Sequence, residues 1–122
     1  MEVDLPGNYD LFGNNSKEET AIWFETGKHR SEIIVEEVVF AVGYNNDFII
    51  AKSYNKNSKF IFEDKNPEFI NSIEENDLIS YHIIDLKEKS PKKNKGMSFT
   101  EYKNKRKELK IPENLNFTII IK

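Results

Sequence analysis

The sequence predicts a mainly β domain of the α+β class, and two features of the chain carry this prediction. The first is residues 38–53, in which two apolar runs are joined by Asn45, Asn46 and Asp47. Because Asn and Asp tolerate the left-handed backbone of tight turns, this stretch predicts a β-hairpin. Both runs are apolar at odd and even positions alike, which indicates a sheet covered on both faces. The second feature is a well-marked helix over residues 98–110.

Further strands are predicted where aromatic and β-branched residues lie between turn residues. These runs cover residues 9–12, 20–25, 32–35, 60–62, 78–86 and 117–121. Consecutive strands joined by tight turns favour antiparallel neighbours. We therefore expect an antiparallel meander sheet of about seven strands with the C-terminal helix packed on it.

The C-terminal helix has the strongest local signals in the chain. Ser98 and Glu101 have the spacing of a capping box, in which each residue bonds the backbone amide of the other. Met97 and Tyr102 stand where a hydrophobic staple requires apolar side chains. A shorter helix is predicted over residues 67–75, since an Asn-Pro pair precedes it.

Length and composition limit the class of protein. With 122 residues, the chain is expected to be one domain over residues 1–122. It has no cysteine, which excludes disulfides, thiolate metal sites and cysteine nucleophiles. A hydrophobic content of 38% is too high for a disordered chain. No apolar run is long enough to span a membrane, and the first residues lack a signal-peptide pattern. We therefore expect a cytoplasmic protein, or an envelope protein whose leader has been removed.

Charge is distributed very unevenly along the chain. Residues 87–110, called here the basic segment, contain ten Lys or Arg residues against three Glu, a net charge of +7. The remainder has eight basic and eighteen acidic residues, a net charge of −10. Such asymmetry bears on the choice of partner rather than on the fold. Within the basic segment, we expect residues 87–97 to form a mobile loop.

No pattern in the sequence predicts catalysis, and we expect no cofactor or metal site. His29 and His82 are the only histidines, and neither lies in a metal-binding or nucleophile motif. His82 falls within a predicted strand, where a hydrogen-bonded structural role is favoured. Adjacent glutamates such as Glu36 and Glu37 point to opposite faces of a strand, so they do not converge as a glycosidase pair must.

Protein binding is the function that the charge pattern favours. An acidic body with exposed aromatic anchors would dock on a basic partner, as toxin-neutralising immunity proteins do, and an immunity-type inhibitor is therefore one alternative. Nucleic-acid binding through residues 87–110 is a second alternative, but the acidic remainder would repel a duplex. The candidate partner-binding residues are Trp23, Glu36, Glu37, Tyr54, Lys103, Arg106 and Lys107.

Three motifs resemble a family of small bacterial domains of unknown function. They cover residues 40–51, residues 81–85 and residues 96–112, and the opening LPGNYDLF belongs to the same likeness. Members of this family are often predicted lipoproteins or other cell-envelope proteins. The resemblance implies a bacterial origin, an export leader that is missing here, and motifs that serve structure rather than catalysis.

Overall fold

The computed structural model describes residues 2–13, 20–27, 30–36, 38–54, 79–88 and 92–121. In this part of the chain, two four-stranded antiparallel sheets are accompanied by one helix, which confirms the mainly β, α+β class. The first sheet has the order β1 (Glu2–Asp4), β2 (Tyr9–Phe12), β3 (Ala21–Gly27), β4 (Arg30–Val35). The second has the order β7 (Ile79–Asp85), β6 (Phe48–Tyr54), β5 (Val39–Tyr44), β8 (Ile119–Ile120). The helix is α1 (Phe99–Glu108).

The expectation of one meander sheet is replaced by two sheets. The chain crosses from β4 to β5 around Glu36, where the apolar pattern of the sequence is interrupted. Because β5 and β6 are apolar on both faces, each face needs a covering layer, and a single sheet cannot cover its own second face. The first sheet covers one face and α1 covers the other. The predicted strand over residues 60–62 and the predicted helix over residues 67–75 lie outside the described residues.

Two apolar clusters occupy the two sides of the second sheet. One cluster lies between the sheets and includes Leu11, Ile22 and Ile49. The other lies under α1 and includes Phe40 and Tyr102. Every residue of β6 is buried, which confirms the prediction that neither face of the hairpin is open to water.

The β5–β6 hairpin is confirmed, but its turn is closed in a different way from the one predicted. The described non-glycine residues with positive φ are Asn8 and Lys110, so Asn46 and Asp47 do not adopt the left-handed conformation. Instead, the side-chain oxygen of Asn45 accepts hydrogen bonds from the backbone amides of Asp47 and Phe48, both at 2.8 Å. This is an Asx turn, in which a side chain takes the place of a backbone acceptor.

Helix α1 begins with the predicted capping box. The amide of Glu101 donates to Ser98 Oγ at 3.2 Å, and the amide of Ser98 donates to Glu101 Oε1 at 3.0 Å. Tyr102 is the buried residue of the helix, and its ring stacks on that of Tyr81 with centroids 4.9 Å apart. In the described part of the chain, no helix has the length and apolar character that a membrane crossing needs.

One buried residue of the second sheet is a lysine. Lys52 has no exposed surface, and its ammonium lies 4.6 Å from the ring centroid of Phe117 and 5.7 Å from that of Tyr81. Aromatic faces attract a cation, so these rings supply part of the stabilisation that the charge loses on leaving water. The C-terminal residues that carry Phe117 and β8 are thereby tied to the second sheet.

Candidate functional site

An open groove of about 400 Å³ lies where both sheets, α1 and the chain before α1 meet. Its apolar side chains come from separate parts of the chain, namely Tyr9, Ile34, Ile83, Ile84, Met97 and Leu109. Its charged side chains are Asp85, Glu88, Lys92, Lys93, Lys95 and Lys105. Binding sites on proteins are usually concave and lined in part by apolar side chains.

One wall of the groove is formed by residues 92–97, called here the strap. The strap bridges the edge strands of the two sheets. At its end, Met97 exchanges two backbone hydrogen bonds with Tyr81 of β7, at 2.8 and 2.9 Å. At its middle, the amide of Asn94 donates to the carbonyl of Ile34 in β4 at 2.7 Å. The strap belongs to the loop predicted to be mobile over residues 87–97, and that mobility stays a prediction.

The side chain of Asn94 fastens the strap to β7. Its Nδ2 donates to the carbonyl of Ile83 at 2.9 Å, while its Oδ1 accepts from the amide of Gly96 at 3.2 Å and pairs with His82 Nδ1 at 2.9 Å. Since Oδ1 is the acceptor, His82 carries its proton on Nδ1, and its Nε2 accepts from Ser53 Oγ at 2.8 Å. One amide therefore connects the groove wall to a buried histidine.

His82 is held in its neutral form. Burial lowers its pKa from 6.5 to about 4, although the hydrogen bond with Asn94 acts in the opposite direction. Gly96 leaves room for the ring, because a Cβ at that position would lie 2.9 Å from His82 Cε1. Gly96 also has a φ of 88°, which side chains rarely adopt. The predicted hydrogen-bonded strand histidine is thus what the structure contains.

Ser53, His82 and Asn94 form a hydrogen-bonded series of hydroxyl, imidazole and amide, which has the connectivity of a hydrolase triad. Two observations argue against that chemistry. Ser53 and His82 are only 5% and 4% exposed, and neither lines the groove. An imidazole with a pKa near 4 is also a weak base for a serine proton at neutral pH. The arrangement is suited to joining strap and sheet.

Ion pairs engage part of the charged rim. Lys93 pairs with Glu36, and Lys105 pairs with Glu108 at 2.7 Å. Both pairs are exposed, and the pKa of Lys105 is raised mainly by its hydrogen bond with Glu108. Exposed pairs of this kind contribute little to stability.

The acidic and aromatic residues predicted to bind a partner that the structure describes do not line the groove. The expectation that Tyr54 is exposed is wrong, because Tyr54 is 4% exposed and its ring packs on Phe40 with centroids 4.5 Å apart. Trp23 is half-buried in β3. Glu36 is exposed and paired with the strap, and Glu37 lies outside the described side chains.

The predicted basic residues of α1 lie outside the groove as well. Lys103 and Lys107 are exposed, and the Lys103 ammonium sits 4.7 Å from the ring centroid of Phe99. Arg106 has a structural role, since its guanidinium donates to the carbonyl oxygens of Pro112 at 2.7 Å and Leu115 at 3.0 Å. These bonds hold the turn that follows α1.

A group of carboxylates lies at the edge of the first sheet. The oxygens of Glu2, Asp4 and Asp10 come within 4.8 Å of one another. Burial raises the pKa of Asp10, and the charges of Asp4 and Glu2 raise it further. Two of the three residues are exposed, and exposed acidic groups commonly exist without a bound ion. The group therefore defines no metal centre.

Sequence reasoning missed the residues that shape the groove. Asn94 and Gly96 stand in a polar, basic stretch that reads as a solvated loop, and Ser53 ends an apolar strand. The sequence Asn94-Lys95-Gly96 shortly before the helix cap was the available signal for a constrained turn. A glycine close to an Asn often marks such a turn. Nothing in the spacing of these residues connects them to His82.

In the described part of the chain, two packed antiparallel sheets and a capped helix, with a groove at their common edge, define a small mainly β domain of the α+β class. The chain belongs to the family described as Protein of unknown function (DUF3997), whose model matches residues 6–121. This match confirms the predicted membership in a domain-of-unknown-function family. No curated protein and no solved structure matches the chain.

Proposed function

We propose that this domain is a non-enzymatic module that binds another protein, and that the groove is its binding site. The observation that carries the proposal is the groove itself. It has a volume of about 400 Å³, and charged side chains surround its apolar floor. Protein–protein sites have this anatomy, with apolar residues at the centre and polar residues at the rim.

The rim supports a protein segment rather than a small molecule as the ligand. Pockets for small molecules bury most of the ligand and place only a few polar groups around it. Here Lys92, Lys93, Lys95 and Glu88 are exposed beside the groove. Charged side chains at an open rim suit a polypeptide segment that runs across the groove. Its polar groups would lie at the two ends of the groove, and an apolar side chain between them would contact the floor.

The state of the buried serine and histidine supports a role without catalysis. A nucleophile has to reach its substrate, and Ser53 and His82 are almost entirely covered. The low pKa of His82 suits a neutral hydrogen-bonding group better than a general base. A fluorophosphonate probe, which labels activated serines, should therefore leave the protein unlabelled. Labelling that is lost in Ser53→Ala would contradict the non-enzymatic proposal.

Site-specific photo-cross-linking tests the binding site. A benzoylphenylalanine placed at Lys95 stands at the groove, whereas the same group at Lys107 stands on the outer side of α1. In extracts of the native organism, we expect a discrete adduct from position 95 and none from position 107. Adducts of equal yield from both positions, or from position 107 alone, would contradict the groove as the site.

We further infer a location in the cell envelope, which rests on the resemblance of the three sequence motifs to predicted lipoproteins. Fractionation of the native organism tests it. Recovery with the membrane fraction, and release by a lipase that removes acyl chains, is the expected result. Recovery in the cytosol would contradict it.

A further inference from the structure

Two lysines of the groove have no ion-pair partner among the described residues. Lys92 and Lys95 are exposed at the strap, and no described carboxylate lies within ion-pair distance of either. The other two lysines of the groove, Lys93 and Lys105, are engaged by glutamates. As far as the described residues go, the strap thus presents two unpaired lysines, Lys92 and Lys95, at the entrance of an apolar groove.

The groove borders the basic part of the chain. Its lining contains four lysines against two carboxylates, and two of these lysines are paired with Glu36 and Glu108, which lie outside the lining. One wall and the adjoining helix also belong to the basic segment, whose net charge is +7. Such a cleft raises the local concentration of anionic ligands and speeds their association. The concave surface therefore lies on the basic side of the molecule, so it does not favour the basic partner that the acidic body had suggested.

We propose that the groove takes an extended acidic segment of a partner protein. Its carboxylates pair with Lys92 and Lys95, and an aliphatic side chain between them rests on the floor near Ile83 and Leu109. This inference rests on the proposed function and names the chemistry of the partner.

The apolar floor of the groove favours an acidic protein segment over a nucleic acid or an anionic lipid surface. The aromatic residue of the lining is Tyr9, which is 5% exposed and packs against Phe24 with ring centroids 4.9 Å apart. It therefore offers no open face on which a nucleic-acid base could stack. A flat lipid surface would reach the rim lysines but not the apolar floor. A polypeptide supplies both charges and an apolar side chain.

Synthetic peptides provide the test. A fluorescein-labelled peptide of alternating Glu and Leu is titrated with the protein, and binding is followed by fluorescence polarisation. A Glu/Ser peptide and a Lys/Leu peptide of equal length serve as the comparisons. We expect the Glu/Leu peptide to bind at least about tenfold more tightly than either of the others, because only it matches both the rim and the floor.

Two charge-matched variants locate the interaction. Lys92→Glu/Lys95→Glu changes these two lysines of the strap, and Lys103→Glu/Lys107→Glu changes the net charge equally on α1. We expect the strap variant to weaken binding of the Glu/Leu peptide about tenfold and the helix variant to leave it within about twofold, since each exposed ion pair contributes only modestly. Circular dichroism confirms that both variants are folded.

Four outcomes would overturn the inference. Equal binding of the Glu/Leu and Glu/Ser peptides would show attraction by charge alone, and equal loss in both variants would show a diffuse field. Tighter binding of the Lys/Leu peptide that is lost on changing the groove residue Leu109 to Asp would overturn the acidic ligand while supporting the groove as a protein-binding site. No binding of any peptide, together with no photo-adduct at position 95, would overturn both proposals.

Discussion

The imidazole of His82 is bonded through both of its nitrogens, to Asn94 on one side and to Ser53 on the other. The predicted structural histidine is therefore confirmed, and its burial could be anticipated because it lies in an apolar strand. Its partner could not be predicted, since Asn94 comes from a charged stretch that only the folded chain brings to β7. Residue type alone gave no sign of that contact.

The neutral state of His82 predicts a pH dependence of stability. Its pKa is about 4 in the folded protein and 6.5 when exposed, so the unfolded state binds the proton more readily. Stability is therefore complete above about pH 6.5 and falls as the pH decreases toward 4, by about 3 kcal/mol in total. Urea denaturation between about pH 7.5 and pH 5 measures the first part of this loss.

His82→Gln separates this effect from general acid destabilisation. This variant is expected to be less stable at neutral pH but to lose less stability on acidification. Parallel pH profiles for wild type and His82→Gln would show that another group titrates.

At the scale of single elements, α1 was the most predictable part of the chain. Its capping box was readable from the spacing of Ser98 and Glu101, because that motif depends only on local geometry. The β5–β6 hairpin was also readable, whereas the use of Asn45 to close it was not. Sequence spacing locates a turn, but several turn types satisfy the same spacing.

Ser98→Ala should shorten and destabilise α1. The change removes the acceptor of the Glu101 amide and is expected to cost about 1 kcal/mol of unfolding free energy. Thermal or urea denaturation measures this cost. Thr100→Ala deletes a hydroxyl two residues later, at an exposed helical position, and should change stability by only a few tenths of a kcal/mol at most. Equal losses in the two variants would mean that the cap contributes nothing specific.

Gly43→Ala should dislodge the C-terminal strand. A Cβ on Gly43 would overlap the carbonyl oxygen of Asn116, so the chain before β8 would have to move away from β5. We expect a loss of about 3 kcal/mol, with faster amide exchange at Ile119 and Ile120. Gly27→Ala is the control, because no described residue beyond its chain neighbours has an atom within 4 Å of a Cβ there. Unchanged exchange in Gly43→Ala would contradict the close backbone approach.

At the scale of the whole molecule, the class of fold followed from the sequence, but the division into two sheets did not. Strand patterns show which residues are buried, and they do not state whether a neighbouring sheet or a helix covers them. The groove was unpredictable for the same reason, since its lining takes Tyr9 and Ile34 from the first sheet, Ile83 from the second and Leu109 from the end of α1. Charge asymmetry was readable, whereas the location of the concave surface on the basic side required the structure.

Charge crowding at the edge of the first sheet should limit stability. Burial raises the pKa of Asp10 most, and the charges of Asp4 and Glu2 raise it further, so its carboxylate is less favourable in the fold than in the unfolded chain at neutral pH. Asp10→Asn is therefore expected to raise the unfolding free energy by up to about 0.5 kcal/mol at low ionic strength. The part of this gain that comes from the neighbouring carboxylates should be lost at about 0.5 M salt, where charges are screened.

Glu32→Gln is the control for this change. Glu32 is exposed on β4, and its substitution alters the net charge by the same amount. Denaturation at the two salt concentrations should show the gain in Asp10→Asn only. A gain of equal size in both variants would assign the effect to net charge rather than to the crowded carboxylates.

The contact between the strap and β7 has a consequence for how copies of this protein behave at high concentration. Met97 occupies both outward backbone groups of Tyr81, and Asn94 occupies the carbonyl of Ile83. An incoming strand from another molecule therefore finds these backbone groups of Tyr81 and Ile83 already bonded, which protects this stretch of the edge from strand addition. A substitution at Asn94 or Met97 that alters the binding specificity of the groove is therefore also expected to expose this part of the β7 edge to strand addition.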